Sequence, residues 1–233
     1  MPYSRSLVLF DIDGTLIRKA GPHHREALVK SVKLVTGLDS TTEDIPVQGM
    51  LDRDILRIMM RNAGASDRAA SQAMPQLIEK AQAVYVRSCP DLRRKVCPGA
   101  RMLLYRLSRK ANVVTGLVTG NLTRIGWKKM ERAGLKPYLK FGSFAEFGKD
   151  RASLVALAIK NARREGWIDA KSTVSLVGDH PNDVKAAKAN GVRSVAVLTG
   201  LSSADELREH SPDLLLEDLR SVTPDWFVNG DAR

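Results

Sequence analysis

Two carboxylates stand two positions apart in "LVLFDIDGTLI", where four apolar residues run into Asp11, Ile12, Asp13, Gly14 and Thr15. Like charges repel and burying a carboxylate is costly, so folding alone does not ask for this pair. If the chain stays extended through Asp13, the two-residue period of a strand sets both carboxylates on one side, and Gly14 lets the backbone turn sharply away. Two acids so close call for a counterion. A hard cation such as Mg2+ relieves the repulsion and keeps coordination positions for water and phosphate oxygens. A second acidic group follows in "VSLVGDHPNDVKAAKANG", with Asp179 and Asp183 separated by His180, Pro181 and Asn182. Pro181 and Asn182 suit the first turn of a helix. His180 reads as an exposed turn residue rather than a ligand, because Mg2+ prefers oxygen. A third candidate is Thr119 in "VTGN": its hydroxyl, its backbone and that of Gly120 lead into a helix expected near Asn121, a position suited to an anion.

Short apolar runs and helical patterns alternate along the chain, with strands expected at 7–10, 112–118, 140–144, 173–178, 194–198 and 213–217. Helices fit between them at 99–110, 122–133, 152–165, 182–190 and 204–210. This alternation predicts an α/β fold on a parallel sheet. In open parallel sheets ligands gather outside the carboxyl ends of the strands, and Asp11, Thr119 and Asp179 each follow such an end. Between Thr15 and Pro98 there is only helical periodicity, in "REALVKSVKLVTG", "DRDILRIMMRNAG" and "SQAMPQLIEKAQAVYVRSC". The expected organisation is a discontinuous core, residues 1–15 and 98–233, with a helical insert over 16–97.

At 233 residues, 43% hydrophobic and 27% charged, the chain is long enough to bury a sizeable core. Its 37 Lys and Arg against 26 Asp and Glu give +11, which suits an anionic substrate, a nucleic acid or an acidic membrane face. The basic residues are dispersed, however. The densest groups, Arg93 with Arg94 and Lys95, Lys128 with Lys129, and Arg163 with Arg164, read as solvated surface, and aromatics at 5% are too few for a base-stacking platform. Nucleic acid is therefore not an expected partner. Cys89 and Cys97 match no metal or redox spacing and read as reduced thiols in a cytoplasmic protein. No apolar run approaches the roughly 18 residues of a membrane span, and the N-terminal run is too short for a signal peptide. The protein is expected to stay in the cytoplasm, as a monomer or homodimer.

"DIDGTL" at 11–16, "TGN" at 119–121 and "GDHPND" at 178–183 resemble the first, second and fourth motifs of the haloacid dehalogenase superfamily, in its phosphoglycolate phosphatase-like branch. The resemblance covers nearly the whole chain. It implies a Rossmann-like, three-layer α/β/α core with an inserted α-helical cap, and a Mg2+-dependent phosphatase acting on a small-molecule phosphate ester. Asp11 is then the nucleophile that forms an aspartyl-phosphate, and Asp13 the general acid and base. Asp11, the Asp13 carbonyl and Asp179 would hold Mg2+, with Asp183 behind them. Thr119 would hold the phosphoryl group, with Thr15, Gly120 and Asn121 as further substrate contacts. The cap segment "GMLDRD" is similar to a Gly-x-Thr-Asp segment, which adds Gly49 and Asp52 and places Leu51 where Thr is usual. For the cation of the third motif the region "EFGKDRASL" offers both Lys149 and Arg151. A phosphomutase would share the aspartyl-phosphate step. Dehalogenation is disfavoured, since displacement at carbon needs no second acid and no metal. The same motifs are also compatible with a non-catalytic binding module on this fold and with a nucleic-acid end phosphatase.

Overall fold

The run "SLVLF" forms β1 (Ser6–Phe10), buried along its whole length. An unbroken apolar strand of this kind needs cover on both faces. The computed structural model of the protein describes residues 5–18 and 21–229, and in it β1 lies between two parallel neighbours. These are β2 (Val113–Val118) and β4 (Thr173–Gly178); β3 (Phe141–Ser143) extends the sheet beyond β2, and β5 (Arg193–Val197) and β6 (Leu214–Leu216) extend it beyond β4. The order is β3-β2-β1-β4-β5-β6 and every pairing is parallel. Helices α4 (Ala100–Ser108), α5 (Thr123–Ala133), α6 (Arg151–Arg164), α7 (Pro181–Ala189) and α8 (Ala204–Glu209) alternate with the strands. This is the Rossmann-like α/β fold. Its topological switch point lies between β1 and β4, where the chain, having built one half of the sheet, crosses to the other.

Between β1 and α4 the described residues form three α-helices outside the sheet sequence, α1 (His23–Thr36), α2 (Asp52–Asn62) and α3 (Asp67–Ser88). They pack on one another, α1 against α3 most extensively. The chain leaves the sheet and returns to it through two segments that run side by side. Ile17 bridges Val96, the Arg18 amide donates to the Lys95 carbonyl, and the Cys97 amide donates to the Leu16 carbonyl, both at 2.9 Å. One apolar cluster continues from β1 into the helical excursion, including Leu28, Leu56, Met59 and Leu77. Cys89 and Cys97 are buried free thiols, and no helix among the described residues is long and apolar enough to cross a membrane.

Two differences from the sequence reading have local causes. A further short helix, α9 (Pro224–Asn229), follows β6, and its Trp226 and Phe227 are buried where it packs on α4, β1 and β4. Six residues are too few for a helical period to show in the sequence. α5 begins at Thr123, one residue past the expected 122, which leaves residues 119–122 as a loop over the strand ends.

Leu9 is fully buried in the central strand, in register with Gly116 and Leu176. Leu9→Ala is expected to lower unfolding stability by about 3 kcal/mol, read from the urea midpoint at unchanged m-value.

Candidate active site

β1 and β4 are in register up to Phe10 beside Val177, so the residues that follow them emerge together. The Asp11 amide donates to the Val177 carbonyl at 2.9 Å. Gly14, at φ +89°, turns the chain back immediately beyond. Asp11, Asp179 and Asp183 are all buried, and each offers a carboxylate oxygen within 4.8 Å of the others. Burial, then the charges of Asp11 and Asp183, push the Asp179 carboxyl up to about 8; burial pushes Asp183 up to about 7 against the opposing pull of Arg151. Thr15 donates its hydroxyl to Asp179 Oδ1 at 3.0 Å.

Arg151 is the cation of this cluster. It is the first residue of α6, whose start is fixed by a reciprocal capping box between Asp150 and Ser153. Its Nη1 donates to Asp11 Oδ1 at 2.8 Å, and its Nε lies 3.3 Å from Asp183 Oδ1 without hydrogen-bond alignment. Burial disfavours a charged guanidinium, but the Asp11 and Asp183 carboxylates overcome this and raise its pKa. One arginine against three carboxylates leaves an excess of negative charge, and Asp183 Oδ1 is a buried acceptor with no hydrogen bond among the described residues. A set of hard oxygen donors short of positive charge fits Mg2+, with Asp11, Asp179 and Asp183 as the residues that would hold it.

Asp13 faces a different environment. Its side chain is 44% exposed to the cavity, and the carboxylate receives Lys129 Nζ at 2.7 and 2.6 Å and Asn121 Nδ2 at 2.7 Å. Desolvation raises its pKa, but the Lys129 charge and these hydrogen bonds outweigh it and hold the carboxyl below its ordinary value. Two acids separated by one residue thus have different surroundings, Asp11 among buried carboxylates and Asp13 beside a buried ammonium.

The helical excursion closes over this edge. Asp52, at the start of α2, accepts from the Leu122 amide at 2.8 Å and is bonded to His24 Nε2 at 2.9 Å, while its own amide donates to the Gly120 carbonyl. Gln82 of α3 accepts from the Arg124 amide at 2.7 Å, and Glu146 from the Thr123 amide at 2.8 Å. Gly49 sits against the opposite wall, where Asn182 Nδ2 donates to its carbonyl at 3.2 Å. At φ +64°, with its missing Cβ 2.3 Å from the His180 ring, this position excludes any other residue at the same geometry. The half-open cavity, about 530 Å³, is lined by the loops that follow β1, β2 and β4, by Arg18, His24 and Arg25, and by the segment after β5, Leu198 to Ser202.

A sequence model of the haloacid dehalogenase-like hydrolases matches residues 6–191. The chain belongs to this family. It is 28% identical over 225 residues to a phosphoglycolate phosphatase of Pseudomonas fluorescens, covering 94% of this chain and 78% of that one. It is 27% identical over 217 residues to a phosphoglycolate phosphatase of Synechococcus elongatus, covering 90% and 92%. In fold it is similar to a predicted phosphoglycolate phosphatase of Haemophilus somnus (TM-score 0.66, 17% identity, 94% of this chain and 96% of that one). It is similar also to a β-phosphoglucomutase of Clostridium difficile (TM-score 0.68, 15% identity, 96% and 95%).

The haloacid dehalogenase fold gathers some of the residues expected from the sequence and redirects others. Asp11, Asp179, Asp183 and Arg151 meet in one cluster. Lys149 does not join them: it stands exposed before α6, outside the cavity lining, because the capping box turns the next residue but one, Arg151, inward. Thr15, expected at the substrate, is buried against Asp179 instead. Thr119 is fully buried and its hydroxyl accepts from Asn121 Nδ2 at 2.8 Å. Asn121 in turn orients Asp13. The start of α5 is not free for an anion, since Asp52, Glu146 and Gln82 take the amides of residues 122, 123 and 124. His180 is half-buried beneath Gly49 rather than exposed, with its Nδ1 accepting from the Asn182 amide. Lys129, taken from sequence for solvated surface, is 1% exposed. Its signal was present: Ile125, Lys129 and Ala133 recur at i, i+4 on the buried face of α5.

The raised pKa values of Asp179 and Asp183 mean that the folded chain holds protons there that the unfolded chain releases near pH 4. The cluster's contribution to stability is therefore present at low pH and lost as pH rises from about 4 to about 8 in metal-free protein. Thermal melts with chelator and with Mg2+ check this, and the stabilisation by Mg2+ is expected to be larger above about pH 8 than near pH 5, where protons compete for the same oxygens.

Proposed function

We propose that this hydrolase is a Mg2+-dependent phosphatase that cleaves a small organic phosphate monoester through an aspartyl-phosphate on Asp11. The observation that carries the reading is the pair of acids opening on one cavity with opposite partners: Asp11 held by Arg151, and Asp13 held apart on Lys129 and Asn121. A nucleophile and a separate acid are what phosphoryl transfer with hydrolysis requires, whereas displacement at carbon has no use for the second. The organisation we infer is a catalytic core of residues 1–15 and 98–233 under a helical cap of residues 16–97. Arg18 and Arg25 line the cavity and pair with no carboxylate among the described residues, which supports an anionic substrate. The curated relatives bear the name phosphoglycolate phosphatase, so a substrate panel begins with 2-phosphoglycolate.

In this reading an Asp11 oxygen attacks phosphorus in line, the bond to the leaving oxygen breaks, and Asp13, ionised in the free site, passes to that oxygen a proton it has taken from the monoanionic ester. Water then attacks the phosphorus of the aspartyl-phosphate, Asp13 takes its proton, and phosphate leaves with Asp11 restored. Arg151 holds the nucleophile and balances the charge gathered beside it. Bound Mg2+ supplies the remaining positive charge for the phosphoryl oxygens.

Asp11→Asn is expected to reduce phosphate release by at least about 10³-fold with an unchanged circular dichroism spectrum, since the transfer has no other acceptor. Near-normal turnover would remove Asp11 from the reaction. Measuring free phosphate against isomerised ester on the same substrates separates phosphatase from phosphomutase. Between the two candidate cations, Arg151→Ala is expected to lower kcat about 10²-fold and Lys149→Ala to leave it within about twofold.

A further inference from the structure

We propose that Lys129 is a positioning residue for Asp13, with His24 of the helical cap as its partner, so that the general acid is aimed by a contact spanning core and cap. The inference rests on the phosphatase reading above. Lys129 lies on α5, in the core, and His24 on α1, in the excursion between β1 and α4. An ammonium has three protons and no acceptor. Those of Lys129 are taken by the Asp13 carboxylate, by Asn121 Oδ1 at 2.6 Å and by His24 Nδ1 at 3.1 Å. None is left for a substrate. Because Lys129 can only donate, His24 Nδ1 must accept, and His24 Nε2 must carry the proton given to Asp52 Oδ2. Asp52 also accepts from the Leu122 amide, beside Asn121, so the chain of contacts closes on itself. The Tyr85 ring of α3 lies 6.0 Å from Lys129 Nζ and meets His24 edge-on, which walls the ammonium away from solvent.

A purely structural role explains this arrangement poorly. A cation 1% exposed on the apolar stripe of a helix is costly, and an apolar side chain of similar volume packs such a position at least as well. What the ammonium adds is a second fixed contact for Asp13, whose half-exposed carboxylate is otherwise held by Asn121 alone. General acid catalysis depends on the direction of the acid as well as on its presence, because the proton must reach the leaving oxygen as its bond breaks.

The test compares phenyl phosphate, a poor leaving group that needs the proton, with 4-nitrophenyl phosphate, a good one that hardly does. With Mg2+ present, Lys129→Met is expected to lower kcat about 50-fold on the first ester and only about 5-fold on the second, with KM little changed. Lys128→Met, one position earlier on α5 and paired with Glu131, is the control and should leave the ratio of the two esters as in the wild type. Equal losses on both esters would show that Lys129 only supports the fold, and near-wild-type rates on both would show that it does not act on Asp13; either outcome overturns the inference alone. Wild-type protein inactive on both esters would overturn the phosphatase reading and the inference with it. Should Lys129→Met fail to fold, His24→Leu decides on the same ratio, which is expected to shift in the same direction by about threefold and overturns the inference if it stays unchanged.

Discussion

Three carboxylates crowd the carboxyl edge of the sheet at its switch point, each buried and each within reach of the others. In water they would separate; here the parallel register of β1 and β4 forbids it, since the two strands end within one residue of each other and deliver Asp11 and Asp179 to the same edge. Much of the nearby structure answers that repulsion. Thr15 gives Asp179 a hydrogen bond, and the capping box at α6 turns Arg151 into the cluster. The unsatisfied Asp183 oxygen leaves the set ready for a cation with hard-oxygen preference. Strain of this kind is tolerated where function draws on it.

The helical excursion meets the core through polar contacts as well as apolar ones. Helix α5 has no side-chain cap of its own, and its first amides are satisfied from Asp52 and Gln82 of the excursion and from Glu146 of the core. Water can satisfy the same amides, so this part of the seam rests on bonds that solvent can replace. Gly49 against His180 closes the other side by close approach rather than by charge. The cavity therefore has walls from both parts of the chain, and a residue such as Lys129 can touch both.

The strands, the long helices between them and the position of the helical excursion were legible in the sequence, because each follows from local periodicity and from where apolar runs stop. The acidic motifs were legible for the same reason: Asp11 and Asp179 are the first polar residues after buried strands. Lys149 and Arg151 were not separable at that level, since two basic residues two positions apart differ only in which one the start of α6 turns inward. Thr15 and Asn121 were assigned to substrate by motif, yet their hydrogen bonds go to Asp179 and Asp13.

By itself the sequence determined that a parallel sheet would present carboxylates at its carboxyl edge, since strand ends and residue types are local properties. Tertiary structure decided which cation answers them. Arg151 reaches Asp11 across 140 positions of chain, and Lys129 reaches Asp13 across 116. No local pattern encodes such a pairing, because the energy of a buried charge depends on which opposite charge the folded chain brings within a few ångströms of it.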